Sequence, residues 1–382
     1  MAGIYIHIPF CKQKCHYCNF CSIVSLKHIK GFLTALLKEI YFQKDYLQNE
    51  IVKSIYFGGG TPSILRTSEI ASILNEIFKI YNIDTNAEIT LEANPDDISL
   101  SKLNDLKEAS INRLSIGIQS FNDKDLKYLK RIHNSEQALN SIKLARDAGF
   151  TNLSIDLIYG IPTLSKEGWT KNLKYFFNSD IPHLSAYSLT IEQKTVLNKL
   201  ILQKKAQPPD EDQSIEHFKI LLELIRQKNF IHYEISNFCK EGFYSKHNSI
   251  YWLGGNYLGL GPSAHSYNGY SRQWNISNVS QYINPENYRN IVLEKEILTK
   301  EQKYNEYVMT SLRTVWGCDL GYIQKTFGEN FHKFILIESL KFIEQELLVF
   351  EQNKLFLTDK GKLFADGIAS GLFEVKINIF AF

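Results

Sequence analysis

Six short β-rich runs alternate with helical segments through the first half of the 382-residue chain. Each run is rich in Ile, Leu, Val, Tyr or Phe and ends near Gly, Pro, Asn or Ser, a pattern that predicts a strand followed by a turn. Because parallel strands need helical crossovers, the alternation predicts an α/β fold with a parallel sheet, best described as a partial (β/α) barrel. The predicted strands span 3–9, 53–59, 87–94, 112–120, 152–160 and 183–191.

Helical periodicity lies between these runs, at 29–47, 68–81 and 135–150, and the last segment ends at Gly149 as a helix C-cap. The pattern loosens after about residue 200, where 203–213 is a polar, Pro-containing break followed by a helix near 212–229. The Gly- and aromatic-rich stretch 251–270 predicts irregular structure that covers a site.

The end of the chain, 347–368, reads as a hairpin followed by a helix, which predicts a winged-helix-like arrangement. A chain of this length exceeds the size at which a single core stops growing. We therefore predict a barrel core over 1–200, a barrel extension and lid over 201–295, and a smaller, mainly helical accessory domain over 296–382.

Charge and hydropathy exclude some classes of partner. The 43 basic and 41 acidic side chains leave a net charge of +2, so nothing indicates a nucleic-acid partner. No apolar stretch reaches the roughly 18 residues of a membrane span, and the first residues do not resemble a signal peptide. We expect a cytoplasmic protein without a transmembrane segment, and peripheral membrane contact stays open.

Four of the six cysteines stand close together in the stretch CKQKCHYCNFC, directly after the first predicted strand. Cys11, Cys15, Cys18 and Cys21 are separated by three, two and two residues, which does not resemble a disulfide framework. Four thiolates could hold zinc. An iron–sulfur cluster accepts closely spaced thiolates more readily, because its several irons offer separate positions. The spacing favours a cluster and leaves the zinc reading open.

Polar or glycine residues follow nearly every predicted strand. In barrels and open parallel sheets the carboxyl ends of the strands carry the active site, so one cavity could receive all of these residues. They are GGGTPS at 58–63, Glu92 and Asn94, Gln119, Asp156 and Thr190.

These motifs together resemble the radical S-adenosylmethionine (SAM) superfamily. The resemblance implies that Cys11, Cys15 and Cys18 ligate three irons of a [4Fe–4S] cluster and that SAM binds the fourth iron through its amino and carboxylate groups. An electron from the cluster then cleaves SAM and releases a 5′-deoxyadenosyl radical. By the same resemblance the SAM site comprises Tyr5, Tyr17, Gly59, Gly60, Thr61, Glu92, Gln119, Arg131 and Asp156.

Within the superfamily the chain is similar to the branch that contains oxygen-independent coproporphyrinogen III dehydrogenase and the heme chaperone HemW. The dehydrogenases carry a long N-terminal extension and a further cysteine where this chain has Phe20. The chaperones carry H-N-x-x-Y-W, present here as His247, Asn248, Tyr251 and Trp252.

The chaperone resemblance implies that the chain binds heme and passes it to an acceptor hemoprotein, for example of the respiratory chain, and that an electron donor serves the cluster. Whether His247 itself ligates the heme iron, and whether SAM is cleaved, stays open. His265 and Cys239 are further heme candidates. The alternatives are a coproporphyrinogen III oxidase-type enzyme and a non-catalytic scaffold stabilised by zinc or a cluster.

Overall fold

The computed structural model describes residues 1–288 and 290–374. All six predicted strands are present, and they lie side by side in chain order with each strand parallel to the next. This arrangement confirms the predicted α/β fold. The strands are β1 (Ala2–Ile8), β2 (Val52–Gly59), β3 (Ile83–Ala93), β4 (Arg113–Gln119), β5 (Asn152–Tyr159) and β6 (His183–Ser188).

The crossover helices pack on the outer face of this sheet. The helix that ends before Gly149 is confirmed, because the chain there turns through a positive φ of 77° that glycine accepts without strain. These helices are α1 (Ile29–Phe42), α2 (Thr67–Ile80), α3 (Leu100–Glu108), α4 (Asp123–Tyr128), α5 (Ser135–Asp147) and α6 (Lys166–Asn178).

Successive side chains of each strand point to opposite faces of the sheet, and the two faces differ in polarity. On β1 the residues Ile4, Ile6 and Ile8 are fully buried in the core shared with α1 and α2. The alternate residues Tyr5 and His7 face the barrel interior. The interior is polar on every strand, which gives the barrel an inner surface able to bind a polar ligand.

The second half of the chain extends the sheet at both edges. From β12 to β7 the order of strands is β12-β11-β10-β9-β1-β2-β3-β4-β5-β6-β8-β7, an open row in the described residues. The elements are α7 (Val196–Leu202), α8 (Glu211–Gln227), β7 (Ile231–Glu234), β8 (Asn237–Cys239), α9 (Lys246–Trp252), β9 (Asn256–Leu260), β10 (His265–Tyr267), β11 (Ser271–Asn275), α10 (Val279–Tyr282) and β12 (Val292–Ile297).

The prediction of irregular structure over 251–270 is wrong for 256–260 and 265–267, which form strands. The strand β9 pairs in parallel with β1, and it continues antiparallel into β10. Gly259 of this strand serves close backbone packing, because a Cβ on it would lie 2.1 Å from the carbonyl oxygen of His265. Tyr257 and Tyr267 lie in β9 and β10, whereas the other glycines of this stretch lie outside the two strands.

A second hydrophobic core forms the C-terminal domain. Its three-stranded antiparallel sheet, in the order β13-β15-β14, and its helices confirm the predicted winged-helix-like arrangement. Residues 375–382 of this predicted domain lie outside the described residues, and the predicted domain boundaries stay predictions. The elements are α11 (Lys300–Leu312), β13 (Cys318–Asp319), α12 (Leu320–Phe327), α13 (Glu329–Glu344), β14 (Leu348–Glu351), β15 (Lys354–Leu357), α14 (Asp359–Lys362) and α15 (Ala365–Ser370).

In the described part of the chain no helix combines the length and the apolar character that a membrane span requires.

Candidate functional site

A cavity of about 1270 Å³ opens at the carboxyl ends of the barrel strands. The loop that carries the cysteines forms one wall, and the strand ends form its floor. The opposite wall comes from residues 208–211 and from residues 362–367 of the C-terminal domain. Residues 251–270 do not line this cavity, whereas residues 208–211, also within the predicted lid region 201–295, do.

The cysteine loop is fastened at both ends to the chain around β1. The amide of Cys11 donates to the carbonyl of Ile23 at 3.0 Å, and the amide of Ile23 donates to Pro9 at 2.8 Å. Cys11, Cys15 and Cys18 line the cavity. Cys21 does not line it, because its Sγ turns away and donates to the carbonyl oxygen of Ser277 at 3.0 Å.

The glycine turn after β2 lies directly beneath the first cysteine. The amide of Gly60 donates to Ile8 at 2.8 Å, and a Cβ on Gly60 would lie 2.6 Å from the carbonyl oxygen of Phe10 and 3.0 Å from Cys11 Sγ. Gly59 has a φ of 105°, a backbone angle that residues other than glycine rarely adopt. The turn thus brings bare backbone to the cavity surface.

The three cavity-lining thiols fit a cluster better than a single metal ion. All six cysteines are free thiols. In residues 1–288 and 290–374 no three His, Cys, Asp or Glu side chains converge on one point, as a lone zinc ion would require. Thiolates that each bind a different iron of one cluster stand farther apart than the ligands of a single ion. Burial raises the pKa of Cys18, and the neighbouring Cys15 and Cys11 raise it further.

Arg131 connects the cysteine loop to the strand ends. Its Nη2 donates to Asn94 Oδ1 at 2.7 Å and to the carbonyl of Gly117 at 2.8 Å, and its Nη1 lies 3.5 Å from Cys15 Sγ. The side chain is partly buried, and its buried Nε finds no hydrogen-bond partner in the part of the chain that the structure describes. A buried donor of this kind is expected to serve a ligand.

Two carboxyl groups lie on the floor of the cavity. Burial raises the pKa of Glu92 to about 7, although a hydrogen bond from Tyr56 Oη at 2.7 Å lowers it, and the charge of Asp156 raises it. Burial also raises the pKa of Asp156 to about 6, while the hydroxyl groups of Ser115 and Ser185 lower it. Groups that titrate near neutral pH in a cleft are typical of functional sites.

Gln119 reaches the cavity through an irregularity of β4. The pairing of β4 with β5 shifts register between Ile116 and Gln119, and Gln119 has a φ of 65°. A positive φ outside glycine costs of the order of 1 kcal/mol and persists where the surroundings impose it. The bulge turns the Gln119 side chain toward the cavity.

The predicted SAM-site residues are brought together with one exception. Tyr5 lies below the cavity, where its hydroxyl group is 3.1 Å from His7 Nδ1. The other predicted residues all line the cavity: Tyr17, Gly59, Gly60, Thr61, Glu92, Gln119, Arg131 and Asp156.

The predicted heme residues lie apart from this cavity. His247 is 1% exposed, and its two ring nitrogens lie 2.8 Å from Ser54 Oγ and 2.9 Å from Tyr251 Oη. Burial lowers the pKa of His247 to about 3, so the imidazole is neutral. Tyr251, Trp252 and Asn248 are partly exposed. Their binding of heme stays a prediction, and iron ligation by His247 would require the loss of one hydrogen bond.

Sequence reasoning missed two interior side chains. Tyr56 donates to Glu92, and His7 Nε2 lies 2.8 Å from the carbonyl oxygen of Cys21 at the end of the cysteine loop. The period-two alternation could have revealed both residues. Tyr56 pairs with Tyr5, and His7 pairs with Gly58, so all four share the inner face of β1 and β2.

Comparison with known proteins identifies relatives along most of the chain. The profile described as "Radical SAM superfamily" matches residues 5–176, and the profile described as "HemN C-terminal domain" matches residues 298–364. Heme chaperone HemW of Bacillus subtilis is 34% identical over 340 residues, which are 87% of each protein. Heme chaperone HemW of Escherichia coli is 36% identical over 265 residues, which are 69% of each protein.

Solved structures show the same architecture. Coproporphyrinogen III oxidase (HemN) from Escherichia coli, a radical SAM enzyme, aligns with a TM-score of 0.84 over 97% of this chain and 90% of that chain. The sequence identity is 24%, so this likeness establishes the fold alone.

Proposed function

Because this chain belongs to the HemW family of heme chaperones, within the radical SAM superfamily, we propose that it binds a [4Fe–4S] cluster, SAM and heme and transfers heme to an acceptor hemoprotein. The observation that carries the proposal is the shared cavity. Three cysteines of one loop, a bare glycine turn and two carboxyl groups with raised pKa values all face it.

The proposed cluster ligands are the thiolates of Cys11, Cys15 and Cys18. Cys21 is held by Ser277 outside the cavity, which supports three ligands rather than four. When bound, such a cluster supplies an electron to SAM. Arg131 is placed to donate to the Cys15 thiolate, and hydrogen bonds to cluster sulfurs tune the reduction potential.

The proposed SAM residues divide by chemistry. The ionised Glu92 would hold the cationic amino group, and the backbone of Gly59, Gly60 and Thr61 would approach the methionyl part. Gln119 and Asp156, farther along the floor, would accept hydrogen bonds from the hydroxyl groups of the ribose. We assign the whole set as a proposal: Tyr5, Tyr17, Gly59, Gly60, Thr61, Glu92, Gln119, Arg131 and Asp156.

The cavity has room for a second ligand. Its volume of about 1270 Å³ exceeds the roughly 300–1,000 Å³ of most single-ligand pockets. The heme motif adjoins its rim, because Trp252 lies under the guanidinium of Arg313 at 5.4 Å and Arg313 lines the cavity. We keep His247, Asn248, Tyr251 and Trp252 as the proposed heme-contacting set.

The remaining parts of the proposal concern partners. A respiratory-chain hemoprotein is the proposed acceptor, and the cluster requires an electron donor. We propose a cytoplasmic location. The chain has 43 basic and 41 acidic side chains, so its net charge gives no reason to expect a polyanion as a partner.

The function is tested on one anaerobically reconstituted sample. We expect heme to produce a saturable change in the Soret absorption, followed by transfer to an apo-hemoprotein, and we expect Trp252→Ala to weaken the heme affinity. Trp274→Ala, a partly buried tryptophan outside the motif, is the matched control and should leave the affinity unchanged.

The same sample is then incubated with coproporphyrinogen III, SAM and a reductant. The proposal predicts no protoporphyrinogen. Formation of that product without heme transfer would establish the coproporphyrinogen III oxidase alternative in place of the chaperone.

A further inference from the structure

The imidazole of His247 lies inside the barrel, beneath the cavity floor. The short helix α9 inserts it against the inner faces of β1 and β2, where Gly3 leaves room for it. A Cβ on Gly3 would lie 3.3 Å from His247 Nδ1. Ser54, Tyr251 and the carboxylate of Glu88, which accepts from the His247 amide at 3.2 Å, fix the residue on three sides.

The ring of His247 stacks on the ring of Tyr56. Their centroids are 5.0 Å apart with an interplanar angle of 22°. Tyr5 stacks on both rings at 6.2 Å, so the three rings form one packed group. A Cβ on Gly58 would lie 2.9 Å from both tyrosine rings, so the group has little space in which to shift.

Tyr56 connects this ring group to the cavity. Its hydroxyl group donates to Glu92 Oε1 at 2.7 Å, and Glu92 lines the cavity whereas Tyr56 and His247 do not. The Glu92 carboxylate therefore accepts a hydrogen bond from a tyrosine whose ring packs against His247 and Tyr5.

We propose that His247 is a positioning residue of the SAM site, which acts on Glu92 through Tyr56. This inference rests on the proposed function, in which Glu92 binds the amino group of SAM, and it adds a role for the heme motif that does not involve heme iron. Through His247, the helix α9 that carries the motif is thereby coupled to the cavity.

The proposal predicts a pH signature. Tyr56 stabilises the ionised Glu92, so loss of its hydrogen bond or its orientation raises the pKa of Glu92. As the pH is lowered, SAM binding is then lost at a higher pH than in the natural protein. The reason is that a protonated carboxyl group cannot pair with the ammonium group. The titratable groups that face Glu92 from the neighbouring strands are Tyr5, Tyr56, Asp156 and Tyr187.

The structure offers a matched control. His183 is also 1% exposed and also lies between a serine and a tyrosine, with its ring nitrogens 2.7 Å from Ser154 Oγ and 2.8 Å from Tyr233 Oη. Its ring contacts Tyr233 and not Tyr56. We expect loss of this imidazole to remove a similar serine–imidazole–tyrosine contact without a change at Tyr56 or Glu92.

The experiment measures SAM affinity by equilibrium dialysis on reconstituted protein between pH 5.5 and 7.5, where the SAM amino group stays largely protonated. We expect His247→Gln to weaken binding roughly 2–10-fold, the range covered by one aromatic stacking contact. We expect both His247→Gln and Tyr56→Phe to move the pH midpoint of binding upward. His183→Gln should do neither, with thermal unfolding recorded for all variants.

Each outcome is decisive. An affinity and a midpoint in His247→Gln equal to those of His183→Gln would overturn the positioning role. Loss of the heme spectrum in His247→Gln with unchanged SAM binding would overturn it in favour of iron ligation. If the natural protein binds no SAM, or if Glu92→Gln binds SAM with the natural pH profile, the SAM assignment itself fails and the positioning role falls with it.

Discussion

Four cysteines that look equivalent in the printed sequence have two different surroundings. Cys11, Cys15 and Cys18 face the cavity, and the thiol of Cys21 is turned toward Ser277. The glycine turn explains part of this difference, because a side chain at Gly60 would occupy the space beside Cys11 Sγ. Single side chains and single missing side chains therefore decide which thiols face the cavity.

We predict that the triple change of Cys11, Cys15 and Cys18 to Ala abolishes the brown chromophore of anaerobically reconstituted protein. The cluster would then lose all three of its protein ligands. Cys21→Ala is the matched control and should keep full iron, sulfide and absorbance. Full iron and sulfide in the triple variant would contradict the cluster assignment.

At the residue scale, the features that the sequence can locate are those that depend on local spacing and turn chemistry. The cysteine loop and the GGGTP turn are readable because the nearest neighbours in sequence create their geometry. Tyr56 was missed because its role depends on Glu92, which is contributed by the next strand. His247 shows the same limit, since the sequence gives its motif but not the burial of its ring against Tyr5 and Tyr56.

Elements are joined to one another by buried polar contacts as well as by the apolar core. Glu39 on α1 is 1% exposed and accepts hydrogen bonds from the Gly261 amide at 2.9 Å, from Asn275 Nδ2 and from Tyr282 Oη. These donors come from the turn after β9, from β11 and from α10. One carboxyl group thus fastens the first helix to the sheet extension.

Glu39 predicts a pH-dependent free energy of unfolding. Burial raises its pKa to about 7, although its three hydrogen bonds lower it, whereas the unfolded chain titrates near 4.5. The folded state therefore holds a proton that the unfolded state has lost, and stability falls as pH rises between these values. The stability of the natural protein relative to Glu39→Gln should fall by roughly 2–3 kcal/mol between pH 5 and pH 8.

Urea unfolding at each pH measures this difference. Glu76→Gln on the surface of α2 is the control, and its difference from the natural protein should stay constant within about 0.5 kcal/mol. A difference for Glu39→Gln that is constant or that grows with pH would refute the assignment.

The described residues form two hydrophobic cores. The cores are linked by a set of polar contacts around Arg313, here called the polar joint. Arg313, directly after α11, contacts the 2%-exposed Glu234 of β7 at 3.2 Å and Asp366 at 2.7 Å. Backbone hydrogen bonds from Ile235 to Arg313 at 3.1 Å and from Val315 to Tyr233 at 3.0 Å continue the joint. This joint holds one wall of the cavity in place.

We predict that Arg313→Ala lowers the free energy of unfolding by about 3 kcal/mol, because it leaves the buried carboxylate of Glu234 without its cationic partner. Hydrogen exchange should accelerate in residues 362–367, which line the cavity. Lys166→Ala is the control, since Lys166 and Glu216 are about half exposed and such pairs contribute about 0–1 kcal/mol. Equal effects of the two changes would show that the joint is not stabilised by this pair.

Local sequence was enough to predict the alternation of six strands and helices, the cysteine loop, the glycine turn and the hairpin near the C-terminus. Periodicity, turn residues and ligand spacing are local properties, so they can be read within a few residues of chain. The order of β1 to β6 followed from them, because short right-handed crossovers place successive strands side by side.

The second strand partner of β1 and the far wall of the cavity come from segments that are distant in the sequence. The strand β9 pairs with β1 although Ala2 and Asn256 are far apart in the chain, and no local pattern records such a pairing. The same long-range packing buried His247 under the cavity floor and brought residues 362–367 to its wall. Contacts between distant segments depend on the complementary shape of both surfaces, which forms only when the chain has folded.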